Sequence, residues 1–366
     1  MKEWADRFNS FNSDKGYLYG EHYQAIADWL KGKGKLLPPI EVSLDPIHAC
    51  NLMCKHCNAH RYLDNSKKMS NQHLMDLIKF LANWGVKAIC FGGGGEPTLH
   101  PSLRDALELS SELGIQNSLA TNGTLLYHPL TGTILQTCRW VGISIDAATP
   151  ETYKIGRKQD LFNQTIENIN SLIELNKEWN EPCDIAFKFL IFDYNQHEIY
   201  DACKLAKSLG VKDFHARPAD FRHQGMGEFK KKQSGYNIDL IKGQFEKCHH
   251  LATKDFRVFT IIHKFNEDFT PKRNFNQCYA SPICIQLCAD GNIYLCPDTR
   301  QMPYFKLGSH KDPKDILKIW GNKKHKELVG KTGCVNCNSR CTYSPYNEIC
   351  ERLFINTDDP FCRNFV

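Results

Sequence analysis

A partial (β/α)6 TIM-like barrel followed by a small cysteine-rich domain is the α/β fold class predicted by this 366-residue sequence. Three observations predict it. Six short β-branched runs between residues 40 and 220 alternate with longer stretches of helical spacing. The first run leads into three cysteines within eight residues, Cys50, Cys54 and Cys57. Nine of the 17 cysteines then fall between residues 278 and 366.

The elements follow in order. Residues 1–39 read as a helical extension, with one amphipathic helix around "EHYQAIADWLKGK" placed to cover an end or side of the barrel. Residues 40–270 read as the barrel. Its strands are "IEVSL" (40–44), "VKAICFGG" (86–93), "QNSLATN" (116–122), "WVGISIDA" (140–147), "DIAFKFLIF" (184–192) and "VKDFHARP" (211–218). Helical patterns such as "SNQHLMDLIKFLANWG" and "FNQTIENINSLIELNKEWN" separate them, ending on Gly or Asn as helices often do. Serial βα units imply a parallel sheet, because each parallel pair needs a crossover connection. A cysteine loop after the first strand favours a barrel over a doubly wound sheet, since barrels place chemistry on such loops. Residues 271–366 read as a small domain held by metal more than by an apolar core.

Composition narrows the function. No run approaches the 18 apolar residues of a membrane helix, and the first thirty-odd residues lack the apolar stretch of a secretory signal, which places the protein in the cytoplasm. A net charge of +5, spread along the chain, argues against nucleic-acid binding. The densest basic run, "FKKKQ" (229–233), reads as a solvated loop. Seventeen cysteines in a reducing compartment favour metal ligation over disulfides.

Three thiolates can hold an iron-sulfur cube while leaving one iron open to a non-protein ligand. Zinc is the competing reading of the loop, with His56 and His60 close by. The second motif is "FGGGGEP" (91–97), where glycines permit close backbone approach and Glu96 can accept from a ligand ammonium. Both motifs end adjacent strands on the same barrel face.

These residues resemble the radical S-adenosylmethionine (SAM) enzyme superfamily. Cys50, Cys54 and Cys57 match its Cys-x3-Cys-x2-Cys cluster motif, and Gly94, Gly95 and Glu96 match its SAM-amine motif. His56 stands where the family usually has an aromatic residue whose backbone meets the adenine. "LATNGTLL" and "GISIDAATPETY" look like its third and fourth strand segments, which makes Thr121, Asn122, Ser144 and Asp146 candidates for the SAM pocket, with Arg157 and Asn195 nearby. The resemblance covers roughly residues 40–220. It implies a 4Fe-4S cluster that reductively cleaves SAM to methionine and a 5'-deoxyadenosyl radical, which removes a hydrogen atom from substrate. It also implies an electron donor such as flavodoxin or ferredoxin.

The C-terminal cysteines resemble the SPASM or twitch extension of these enzymes, which carries one or two auxiliary 4Fe-4S clusters. Cys278, Cys296, Cys334 and Cys337 match the shorter pattern, with Cys341 as a substitute for Cys334. The three-residue gap from Cys337 to Cys341 departs from the larger pattern and favours one auxiliary cluster. Cys90, Cys138, Cys183, Cys203, Cys248 and Cys288 read as buried small hydrophobes. A fully ligated second cluster can accept an electron, which points to net oxidation and calls for a base. His215 and Arg217, ending the sixth strand, are the catalytic candidates.

The resulting expectation is oxidative modification of a small polar metabolite. A peptide side chain is the alternative, set back because only 49 residues precede Cys50, too few for a complete leader-binding domain. A non-catalytic electron carrier or a zinc-held binding module would leave "FGGGGEP" unexplained.

Overall fold

The computed structural model describes residues 18–57, 59, 64–180, 182–219, 235–260, 275–330, 337 and 341–352. The "FKKKQ" run, His60, Cys334 and Cys362 lie outside them. Seven parallel strands stand side by side in chain order: β1 (Glu41–Asp45), β2 (Ala88–Phe91), β3 (Gln116–Thr121), β4 (Cys138–Ser144), β5 (Asp184–Ile191), β6 (Asp213–Pro218) and β7 (Arg257–Thr260). Helix α1 (Gly20–Leu30) precedes them. The crossovers carry α2 (Asn71–Trp84), α3 (Leu103–Glu112), α4 (Leu130–Thr137), α5 (Pro150–Arg157), α6 (Phe162–Trp179), α7 (Ile199–Leu209) and α8 (Ile238–His250). This is the parallel sheet of a partial barrel.

Local signals set the helix ends. Ser70 caps α2 by accepting the His73 N–H at 3.2 Å, and Gly85 ends that helix in the left-handed region at φ 103°. Asn180 does the same for α6 at φ 53°.

Two features exceed the sequence expectation. The seventh strand, "RVFT", is only four residues long and offers little alternation to read. The cysteine-rich segment also does not stand apart from the barrel sheet. Strand β8 (Cys284–Cys288) pairs parallel to the free side of β1, and β9 (Asn292–Tyr294) and β10 (Lys306–Ser309) continue antiparallel, giving a ten-stranded sheet. Ile285, Leu287, Ile293 and Leu295 share one core with Val42, Leu44 and Phe91. This region therefore has an apolar core, in contrast to the metal-held unit expected. Helices α9 (Asp315–Ile319), α10 (Lys323–Val329) and α11 (Ser344–Cys350) complete it.

Helix α1 packs Tyr23 and Ile26 against Ile40 and Ile283, the residues leading into β1 and β8. It thus covers the end of the sheet opposite the cysteine loop. Among the described residues no helix is long and apolar enough to cross a membrane.

Candidate active site

The glycine run exists because neighbouring chain presses closely on each of its four positions. A Cβ on Gly92 would lie 2.9 Å from the Ala120 Cβ, and Gly93, at φ 97°, has the Arg300 guanidinium in the same space. On Gly94 a Cβ would sit 2.8 Å from Asp45 Oδ2 and 2.9 Å from the His48 ring. On Gly95 it would be 2.6 Å from the His48 carbonyl carbon and 2.8 Å from the Ile47 oxygen. The run is therefore packed against the backbone that leads to Cys50, and the Glu96 N–H donates to Ala49 O at 2.8 Å.

Glu96 is buried and heavily hydrogen-bonded. Its Oε1 accepts from Thr121 Oγ1 (2.6 Å), Thr98 Oγ1 (2.7 Å) and the Thr98 N–H (3.2 Å), and its Oε2 accepts from the Asn122 N–H (2.7 Å). Burial pushes its carboxyl up from the usual range, while these donors pull it back toward ionisation. The Asn122 side chain donates to Asn51 Oδ1 at 2.8 Å, tying the β3 turn to the cysteine loop.

After β4, Asp146 adopts φ 58° and receives the Leu190 N–H at 2.7 Å and Arg157 Nη2 at 2.6 Å. Asp tolerates this left-handed conformation better than most residues. Arg157 Nη1 also lies 3.4 Å from Cys54 Sγ. Asn195 is buried and donates to the carbonyl of Asp146 at 2.8 Å, so it holds the turn from behind.

Together these elements wall one open cleft. Cys50, Cys54, His56, Cys57, Gly95, Glu96, Thr121, Asn122, Ser144, Asp146, Arg157 and Arg217 all line it. Gly94 instead backs onto Asp45 and His48. His215 is not among the lining residues. It is buried a layer below Arg217 on the same strand, 3.9 Å from Asp213 and edge-on to Phe259. That position removes it from contact with a substrate in the cleft.

The cleft also contains residues that sequence reasoning missed: Lys188, Leu190, Phe192, Tyr194 and Arg300. His56 stacks on Phe192 at 4.2 Å and lies nearly parallel to Tyr194 at 5.5 Å. Burial lowers the His56 pKa to about 4, keeping the ring neutral near pH 7. Arg300 enters from the cysteine-rich region, with Nε 2.6 Å from Asp45 Oδ2 and Nη2 donating to Gln286 at 3.0 Å.

Burial pushes the Cys50 thiol up to about 12 and Cys57 to about 11. Thiolates there need a positive centre to stabilise them, and the three-sulfur donor set suits a cluster iron. A second cavity is lined by Cys278, Cys296, Cys337 and Cys341 among Phe275, Leu295, Phe305 and Leu328. Burial raises Cys296 and Cys341 well above the ordinary thiol range, and the neighbouring cysteines add to it. Cys341 thus stands with the other three, whereas Cys284 lies in β8 and Cys350 packs with Tyr23. Cys138, Cys183, Cys203, Cys248 and Cys288 are buried, and Cys90 is half-buried in β2. One turn of 3-10 helix, Pro297–Thr299, separates Cys296 in the second cavity from Arg300 in the first. Asp45, His48 and Cys288 also converge within 4.8 Å, but the Arg300 guanidinium already holds the Asp45 carboxylate.

The barrel thus brings three thiols, a glycine-packed loop and a buried glutamate to one rim. Residues 44–183 match the model of the Radical SAM superfamily, a family that uses a 4Fe-4S cluster and SAM. The probable GTP 3',8-cyclase of Saccharolobus islandicus (strain M.14.25 / Kamchatka #1) is 25% identical over 275 residues, 72% of this chain and 83% of that protein. The corresponding Saccharolobus solfataricus protein is 25% identical over 311 residues, 81% of this chain and 93% of its own. Streptococcus suis SuiB bound to precursor peptide SuiA superimposes with TM-score 0.64 at 15% identity, over 88% of this chain and 75% of that one. The structure of anSMEcpe with bound AdoMet gives 0.60 at 20% identity, over 83% and 88%. These two likenesses establish the fold.

Proposed function

We propose that the chain is a radical SAM enzyme that oxidatively modifies a small polar metabolite. The observation that carries this is the meeting of Cys50, Cys54 and Cys57 with Glu96 in one cleft. In this reading residues 40–270 carry the radical chemistry, 271–366 hold one auxiliary 4Fe-4S cluster, and 1–39 cover the far end of the sheet. A cytoplasmic donor such as flavodoxin or ferredoxin supplies the electron.

When bound, the cluster and SAM supply a 5'-deoxyadenosyl radical that takes a hydrogen atom from the substrate. The chain's own residues make that usable. Cys50, Cys54 and Cys57 would hold the cluster that supplies this chemistry. Glu96, oriented by Thr98, Thr121 and Asn122, accepts the SAM ammonium through a charge-assisted hydrogen bond. Arg157, fixed by Asp146, keeps a positive charge beside Cys54. Ser144 and Asn122 offer polar contacts, and the flat group of His56, Phe192 and Tyr194 suits a purine. Cys278, Cys296, Cys337 and Cys341, which line one cavity, would hold an auxiliary cluster, and that cluster would supply an acceptor for the electron lost on oxidation. Arg217 meets the substrate, while His215 supports the strand from below.

The test is anaerobic reconstitution with iron and sulfide, followed by SAM and dithionite. About eight irons per chain and 5'-deoxyadenosine are expected for two clusters. Stoichiometric zinc and intact SAM would overturn the reading. GTP, the substrate that the Saccharolobus cyclases are named for, is the first substrate to assay.

A further inference from the structure

Arg300 and Gln301 are consecutive residues of the cysteine-rich region, and both turn back onto the approach to Cys50. Arg300 Nε stands 2.6 Å from Asp45 Oδ2, and its Nη2 donates to Gln286 Oε1 at 3.0 Å. Gln301 Nε2 meets His48 Nε2 at 3.2 Å, and its Oε1 accepts from Tyr294 Oη at 3.2 Å. Asp45 ends β1 and His48 lies just before Cys50, so the two side chains grip both ends of one short segment.

The backbone is bent to allow this grip. Gln301 adopts φ 59°, a left-handed conformation that is costly for a residue with a side chain and persists only where its surroundings hold it. Those surroundings lie at the base of the turn. The Cys296 N–H donates to Thr299 Oγ1 at 3.0 Å, and Thr299 Oγ1 donates to the Cys296 oxygen at 2.9 Å. Asp298 accepts from the Thr342 N–H at 2.6 Å and from Thr342 Oγ1 at 2.9 Å. The turn that carries Arg300 and Gln301 is therefore anchored at Cys296 and beside Cys341, two cysteines of the second cavity.

The gripped segment meets the glycine run on another side. The space that a Cβ on Gly93 would need holds the Arg300 guanidinium, with Asp45 Oδ1 2.5 Å away, and the space beside Gly94 holds Asp45 and His48. The Glu96 N–H is bonded to Ala49 O at 2.8 Å. A shift of residues 45–49 would thus disturb Cys50 and Glu96 together. We propose that Arg300 and Gln301 are positioning residues for the SAM end of the cleft: they hold residues 45–49 against the glycine run, so that Cys50 and Glu96 keep one spacing. This deepens the proposed function and rests on Cys50 and Glu96 serving the cluster and SAM.

The experiment measures SAM affinity by equilibrium dialysis on anaerobically reconstituted protein, and follows the change that SAM makes in the electron paramagnetic resonance spectrum of the reduced cluster. Gln301→Gly removes the side chain and relieves its φ. It should melt no lower than the parent while SAM binding weakens about tenfold, a usual loss when a group that orients a ligand is removed. Arg300→Met should weaken SAM binding to a similar degree, and Arg300→Lys should recover part of the loss. Arg300→Met combined with Asp45→Asn, which strands no buried carboxylate, should stay as weak as Arg300→Met alone. The spectral change on adding SAM should shrink in each weakened variant. The inference is overturned if Gln301→Gly and Arg300→Met bind SAM within twofold of the parent. It is equally overturned if adding Asp45→Asn restores parental affinity, which would make Arg300 a partner for a buried charge and nothing more. A parent protein that neither binds nor cleaves SAM would sink the proposed function and this inference with it. Parental SAM cleavage beside variants of parental affinity would sink this inference alone.

Discussion

Replacing Gly95 by alanine asks how closely the glycine run and the cysteine loop must meet. The new methyl would lie 2.6 Å from the His48 carbonyl carbon and 2.8 Å from the Ile47 oxygen, with Ala49 O closer still. Ordinary contact begins near 3.4 Å, so the loop must withdraw by more than about 0.8 Å, with the Ala49 oxygen setting the distance, against backbone that has no rotamer to yield. The withdrawal pulls on the Glu96 N–H to Ala49 O hydrogen bond and moves the residue directly before Cys50. A misplacement near 1 Å at a reacting centre can cost about 100-fold in rate. We expect Gly95→Ala to keep its fold by circular dichroism and its auxiliary iron, while 5'-deoxyadenosine formation falls by about two orders of magnitude. Gly114→Ala, at a positive-φ glycine with nothing within 4 Å of the added methyl, controls for a generic glycine effect. A Gly95→Ala protein that cleaves SAM within threefold of the parent would refute the packing argument.

Further outcomes follow from other parts of the molecule. Cys54→Ala should lose about four irons and all SAM cleavage, whereas Cys296→Ala should lose a similar amount of iron yet keep cleavage, both read by iron assay and chromatography. Arg257 grips buried Asp213 at 2.6 Å and Asp184 at 2.6 Å, so Arg257→Met should destabilise by about 3 kcal/mol in a urea titration, by stranding a buried carboxylate. His325 is fully buried and accepts the Gly321 N–H on Nδ1, and burial lowers its pKa to about 3. Because the folded value lies below the unfolded 6.5, the unfolded chain takes up the proton first, and stability falls as pH drops from 6.5 toward 3. This one group should remove about 2 kcal/mol between pH 7 and pH 5. His325→Phe should flatten the acid limb of a stability–pH curve; an unchanged limb would count against it.

Much of the barrel was legible because six strands carry β-branched runs and their helices carry caps that local chemistry dictates. The cysteine loop and glycine run were legible because three thiols at fixed spacing and four consecutive glycines have few other uses. What was not legible depends on long-range pairing. No local pattern says that Arg300 returns to Asp45, 255 residues earlier, or that "CIQLC" is a strand beside β1. His215 and Arg217 share one face of β6, as period two requires, but that period does not say which of them reaches the cleft. Lys188 carries a signal of its own: a charge in the middle of a parallel strand that should be apolar.

The pairing of β8 onto β1 bears on how this chain can be divided. A parallel strand stripped of its neighbour presents a row of unsatisfied amides and carbonyls, to which another chain can add. Strand β1 is flanked by β2 on one side and by β8 on the other, five register pairs long. A barrel cut away from the cysteine-rich region would therefore expose the strand that leads into the cysteine loop, and would be prone to self-association through it. The C-terminal quarter thus acts as the edge guard of the barrel, whatever metal it holds.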